Sequence, residues 1–346
     1  MKKYDYKDVV EKICIIFNNS FQTDYKIIFQ SREEAEALNP DIKNLSKSAG
    51  GTYQPKNKII YIFSNVIDEI NKKNYNNLRN SNDNGLAFLI LACFHELEHR
   101  LQIDCPQKLR KQALFSISMY DIEKIIVLFD KEFYRQNHDN FYMEIDADIK
   151  GTENAMNFID LCKIDGINRD YFEALRTYNK YRQLNYDIPQ FIKRFNNIVR
   201  MYPQILQDKR FISNENILSF YDENGRFKPI DEIMKKPNVF LTPYIISSEM
   251  FLKSINIKTI SQEQRNFILK NINMVVVEHK IKKQALDKLK PEAKKAIEEL
   301  NKYTHFSKSP SLKTVEFFAD EKYYQFLKNN VQTYSKIVSE GDEQEP

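Results

Sequence analysis

His95, Glu96 and His99 stand in the run His-Glu-Leu-Glu-His at residues 95–99, and this spacing points to metal chemistry. A helix turns once every 3.6 residues, so histidines four apart share a face. They can then offer two ring nitrogens to one ion at about 2.0–2.1 Å. Glu96 flanks that face, where a carboxylate can take a proton from water on the metal, the general-base role of a metallopeptidase. The chain holds only five histidines in 346 residues, so chance placement is a weak explanation.

Residues 86–94, just ahead of the motif, are apolar without interruption apart from their alanines and one cysteine. Such a run marks a helix buried on every face. Two histidines and a glutamate at its end are costly to bury unless something satisfies them, and a metal does. A catalytic zinc site carries three protein ligands and keeps one position for water, so a third ligand is needed. Glu144 is the leading candidate, with His138, Asp139 and Asp146 as alternatives. Glu144 and Asp148 are four apart and share a helical face, whereas Asp146 points elsewhere. With Glu144 on the metal, Asp148 is placed to accept the N–H of one liganding histidine and fix its tautomer. Cys93 is rotated about 200° from His95 and reads as a small buried hydrophobe.

Taken together, His95-Glu96-x-x-His99 and Glu144-x-x-x-Asp148 resemble the paired signature of the gluzincin metallopeptidases, the thermolysin-like group. The form Glu144-Ile145-Asp146-Ala147-Asp148 is similar to that of CAAX-protease-like gluzincins and of repressor-cleaving peptidases of mobile elements. The likeness covers residues 48–160. It implies a zincin-like domain, with a small antiparallel sheet beside the active-site helix. It also implies Zn2+ on His95, His99 and Glu144, with Glu96 as base and Asp148 behind a ligand. In such proteins an extended substrate lies along a sheet edge, which here falls at Gly50, Gly51, Thr52 and Tyr53; a plain structural hairpin is the competing reading. The metzincin branch is disfavoured, because Arg100, Leu101 and Gln102 follow His99 in place of a Gly and a third His. The apolar run before His95 falls short of the ~18–20 residues of a membrane span, which disfavours the membrane-embedded members.

The elements that must position these residues follow from pattern. Seven glycines, no tryptophan and abundant helix formers predict an α+β protein that is mainly helical. A helix is expected over 5–18, a strand over 25–30, and antiparallel strands at 49–53 and 58–63 around a turn at 54–57. Residues 81–85 supply caps for the His95 helix, one or two helices span 116–137, and the Glu144 helix runs to about residue 158. The length suggests two domains, a zincin-like domain over 1–160 and a helical domain over 161–346 with a disordered acidic tail from about 340. Asn224-Gly225 is a hairpin signal within the helical half.

Composition excludes several classes. Cys14, Cys93, Cys105 and Cys162 show no C-x-x-C spacing, which suits a reduced compartment without disulfides. Charges interrupt the N-terminal residues, so no secretory signal is read there and a cytoplasmic location is expected. A net charge of +4 calls for neither a membrane nor nucleic acid as partner. The basic stretch 275–303 reads as a solvated helix face, with His279 and His305 at the surface. The expected function is zinc-dependent hydrolysis of a protein or peptide. Tyr134, Arg135, His138, Tyr142 and Arg100 stand as undistinguished candidates to stabilise the oxyanion. The alternative is a non-catalytic zincin-fold module that binds a partner through its C-terminal half. Glu96 argues against it, since a structural metal site needs no base.

Overall fold

Ile59–Phe63 forms strand β3, the centre of a three-stranded sheet. Lys26–Gln30 (β1) pairs with it in parallel and Gly51–Gln54 (β2) pairs antiparallel, giving the order β1-β3-β2. Side chains alternate across a strand. Ile60 and Ile62 accordingly enter the larger core, while Tyr61 and Phe63 pack with Ala35, Ile42, Val66 and Ile70 on the opposite face. Burial on both faces is why β3 reads as an unbroken apolar run. The sheet is mixed, which corrects the antiparallel expectation. The β2–β3 pair is antiparallel as expected, but helix α2 (Arg32–Leu38) and a 3-10 turn (Pro40–Asn44) follow β1. That connection is long enough for the chain to re-enter beside β1 in the parallel sense.

This computed structural model describes residues 4–45, 49–54, 58–74, 84–104, 113–208, 212, 215–302 and 321–342. Residues 55–57 of the expected turn, 81–83 of the expected cap, Cys105, His305 and residues 343–346 lie outside them. The chain groups into two compact units, one of residues 1–110, 144–183 and 290–314, the other of 111–143, 184–289 and 315–346.

The first unit contains the sheet, α1 (Tyr6–Phe21), α3 (Ser64–Asn74) and α4 (Asn84–Asp104). Nearly all of α7 (Tyr142–Cys162) and α8 (Arg169–Leu184) also belong to it. Asp5 caps α1 by accepting the Lys7 N–H, one of the N-terminal donors that a helix leaves without an internal partner. Leu86, Leu89, Ile90, Cys93, Phe94, Leu97 and Leu101 of α4 are all buried in one cluster with Phe17 of α1 and Phe158 of α7. The rings of Phe17 and Phe94 lie 6.4 Å apart, and those of Phe94 and Phe158 5.8 Å apart. The helix that carries the motif is thus held from several sides at once, as its all-round apolar sequence requires.

The second unit is helical. Its elements are α5 (Ala113–Phe129), α6 (Lys131–Asn137), α9 (Ile188–Met201), most of α14 (Gln262–Asn301) and α15 (Glu321–Asp342). Its described residues also form short α-helices, among them α10 (Glu215–Leu218), α11 (Ile230–Lys235), α12 (Thr242–Ile246) and α13 (Glu249–Ser254). Phe191, Ile192, Phe195, Ile198 and Val199 make the buried stripe of α9 at helical spacing. The Asn224-Gly225 signal corresponds to a turn closed by a Tyr221–Phe227 bridge, with Gly225 at φ +70°. A β-carbon at Gly225 would stand 2.5 Å from the Val199 carbonyl oxygen, so glycine is required there twice over. Helix α15 reaches Asp342, inside the segment expected to be disordered.

Helix α7 begins without a local cap, because Phe141 precedes it and offers no acceptor. The carboxylate of Glu123, fully buried, accepts the N–H of Tyr142 at 2.5 Å and of Met143 at 2.8 Å, and the Tyr186 hydroxyl at 2.8 Å. A buried anion at a helix N-terminus satisfies its orphan donors and its dipole together. Among the described residues no helix is long and apolar enough to cross a membrane.

Candidate metal centre

Two helices of the first unit build the site. Helix α4 projects His95, Glu96 and His99 near its C-terminal end, and α7 projects Glu144 in its first turn and Asp148 one turn on. Gly151 brings the helices together. A β-carbon there would lie 3.0 Å from the His95 nitrogen and 3.1 Å from its Cα. Ala147, Gly151 and Ala155, four apart, give α7 a small-residue stripe, and both alanines are fully buried.

The ligand atoms converge. His95 Nε2 and His99 Nε2 are 3.0 Å apart, and Glu144 Oε2 lies 3.2 Å from the latter and 3.5 Å from the former. Among the described residues this is the one cluster of three ionisable side chains whose ligand atoms meet closely enough to hold a metal ion. The outer nitrogens explain why a cation belongs there. His95 Nδ1 lies 2.9 Å from Asp148 Oδ1, a carboxylate oxygen that accepts, so Nδ1 carries the proton. Asp146 likewise accepts from the Gln102 amide nitrogen at 3.2 Å, which turns the Gln102 oxygen towards His99 Nδ1 at 3.0 Å. That nitrogen must donate as well. In the neutral rings both Nε2 atoms are therefore bare, and two nitrogen lone pairs face each other beside a carboxylate oxygen. A cation relieves that arrangement, and two imidazoles with one carboxylate are a fitting donor set for a divalent metal.

Without such an ion, protons fill the role. Burial pushes His95 down, but hydrogen bonds to Asp148 and Glu144 outweigh it and hold the ring well above the usual imidazole range. For His99, burial again opposes and the Glu144 charge prevails, with the net result raised. Metal uptake must therefore displace protons.

Glu96 stands beside this cluster. Burial pushes its carboxyl up while His95 and His99 pull it back, and the net shift is upward. The main-chain N–H of Tyr53 acts on it in the same downward sense as the histidines. The sheet register explains how. Phe63 N–H bonds the Gly50 carbonyl at 2.8 Å, so residues 50, 52 and 54 exchange bonds with β3, and the main-chain groups of Gly51 and Tyr53 face away from it. Strand β2 is an edge strand lying against α4, where a β-carbon on Gly50 would meet the Phe88 ring at 2.5 Å and one on Gly51 would meet Glu96 Cγ at 3.3 Å.

The remaining candidates have partners of their own. Asp146 is tied to Gln102, and His138 pairs with Asp139 at 3.0 Å in the second unit. Tyr134 packs on His138 and Phe141, Tyr142 is buried against Phe115, Tyr120 and Tyr186, and Arg135 is exposed near Glu132. Arg100 binds Asp104 at 3.1 Å and covers the Tyr25 ring at 4.0 Å. His279 stacks on Tyr324 with centroids 4.7 Å apart, so it is half-buried and not the solvated side chain expected. Cys93 is fully buried, and burial raises its thiol far above the usual range.

Sequence reasoning missed three supports of the site. Gln102 lies three residues after His99 on the same helix, a spacing that was readable. Glu98, buried and bonded by Asn154 at 2.8 Å, is pushed up to about 8 by burial and by the Asp146 charge. Arg182, which binds Asp148 at 2.9 Å, carried no sequence signal. No family model, curated protein or solved structure matches the chain.

Proposed function

We propose that this chain is a zinc-dependent peptidase of the gluzincin kind, acting on a protein or peptide. The observation that carries the reading is the pairing of a three-ligand cluster with Glu96. The His95, His99 and Glu144 side chains are 20, 12 and 13 % exposed, so solvent reaches the cluster, as a catalytic site needs and a sealed structural site does not. Zinc bound there lowers the pKa of water and polarises a carbonyl oxygen.

The chain's own residues supply the rest. Glu96, with its carboxyl shifted upward towards neutrality, accepts the proton of the attacking water and returns it to the leaving amine nitrogen. The Tyr53 N–H favours the ionised form of Glu96, the form that takes the proton. Asp148 and Gln102 keep both Nδ1 protons in place, so that both Nε2 atoms remain donors to the ion. Strand β2 fits a substrate-binding edge. The outward register of Gly51, next to Glu96, supports main-chain pairing with an extended peptide.

The test is metal analysis of the purified chain followed by cleavage of a peptide library. Zinc near one equivalent, with cleavage abolished by a chelator and restored by zinc, is the expected result. Zinc uptake without cleavage of any library member would favour the non-catalytic module, and no metal uptake would refute the centre itself.

A further inference from the structure

Arg182 lies in the last turn of α8, is 7 % exposed, and lies within the same unit as the metal centre. A buried cation at a helix C-terminus is favoured by the helix dipole, but it still needs partners. Its Nη1 donates to Asp148 Oδ2 at 2.9 Å and to Asn179 Oδ1 at 2.7 Å. Asn179 is fully buried, and Arg182 Nη2 has no hydrogen-bond partner among the described residues. Both bonds thus start from a single nitrogen pinned between two fixed acceptors.

The two oxygens of Asp148 are divided, Oδ1 to His95 Nδ1 and Oδ2 to Arg182. A carboxylate held at one oxygen can still swing about its Cβ–Cγ bond, whereas one held at both has its plane fixed. His99 is set by a different pair, the neutral amide of Gln102 and the Asp146 carboxylate that accepts from it. We propose that Arg182 is a positioning residue of the metal centre. By fixing the Asp148 carboxylate it sets the His95 ring, and hence the place of Nε2 in the ligand cluster, while leaving His99 untouched. This rests on the reading of the cluster as a metal centre.

Arg182→Met removes the donor at similar length, and Arg182→Lys keeps one nitrogen that can serve both acceptors. Two readouts on the full chain decide the matter, zinc affinity by chelator competition and the Nδ1–H resonances of His95 and His99 by nitrogen-edited NMR. Arg182→Met should lower zinc affinity about tenfold, in the range of outer-shell losses. It should also move the His95 resonance and leave that of His99 in place, with Arg182→Lys lying between it and wild type. A merely structural role would move both histidines together. Wild-type affinity with an unmoved His95 resonance, or equal shifts of both rings, would overturn the proposal. If Arg182→Met does not fold, Arg182→Lys must still shift His95 alone. A wild type that takes up no zinc would refute the metal centre, and the same resonances in the metal-free chain would still decide whether Arg182 sets the ring.

Discussion

Gly151 of α7 lies so close to the backbone of His95 that a β-carbon would stand 3.0 Å from the His95 nitrogen. That contact is between a side-chain position and main-chain atoms, which cannot rotate aside. The separation of the two helices, and with it the distance from Glu144 to His95 and His99, is therefore set at this glycine.

Gly151→Ala gains about 0.8–1 kcal/mol of helix propensity, against an overpacking cost of about 1–3 kcal/mol. The alanine variant should be near neutral in stability or mildly destabilised, and Gly151→Leu clearly destabilised. Metal affinity should fall in both, because α7 must move off α4 and carry Glu144 away. Denaturant unfolding and chelator competition measure the two effects separately. A leucine variant that binds metal like wild type would show that Gly151 does not set the ligand spacing.

Glu144→Ala should reduce metal affinity far more than Asp146→Ala, since among the described residues Glu144 is the carboxylate that joins both Nε2 atoms, at 3.5 and 3.2 Å. Asp146→Ala should still cost about 10-fold, because it frees Gln102 and with it the His99 ring. His138→Ala should change nothing, as that ring pairs with Asp139. Titration of zinc into the three variants checks the order. Loss of zinc in His138→Ala with retention in Glu144→Ala would mean the wrong third ligand has been assigned.

How far the sequence carried this arrangement depends on the range of each signal. Helical periodicity acts within one turn, so the shared face of His95 and His99, and that of Glu144 and Asp148, could be read directly. The turn-forming residues between the β2 and β3 runs are an equally local signal, and the antiparallel pairing followed from them. The parallel partner β1 did not, because nothing within a strand states which edge will receive it. Arg182 is 34 residues from Asp148, and no periodic rule links one helix's last turn to another's carboxylate. The Glu123 carboxylate at the start of α7 is hidden for the same reason, 19 residues from Tyr142 in the sequence. Gln102 and Gly151 fall between these cases. Each sat at a readable spacing, three from His99 and midway between Ala147 and Ala155, but only the packed helices reveal what the spacing serves.

Glu96→Gln should fold, bind zinc with wild-type affinity and lose peptide hydrolysis. The amide keeps the shape, but it cannot take a proton from water. A loss of at least 100-fold in turnover is expected from removing a general base. The measurement is kcat on a cleaved library peptide alongside zinc content. Turnover equal to wild type at full zinc occupancy would remove Glu96 from the mechanism.

Glu98 gives the fold a pH dependence opposite to that of most carboxylates. Burial, reinforced by the Asp146 charge, raises its folded value to about 8 from a usual 4.5, so the folded state favours the neutral acid. The contribution is fully present below about pH 4.5 and is lost as pH rises through about 8. Between those limits the unfolded chain has released the proton while the folded one retains it, and stability falls by about 1.4 kcal/mol per pH unit from this group. Glu98→Gln keeps an oxygen to accept from Asn154 and has no proton to lose. The variant should therefore gain on wild type steadily from pH 5 to pH 8, by a few kcal/mol in all. Urea unfolding of both proteins at each pH, at matched zinc, gives the difference curve, in which the titration of the histidines cancels. Parallel curves across that range would show that Glu98 is ionised in the folded protein and that its site is more solvated than its burial implies.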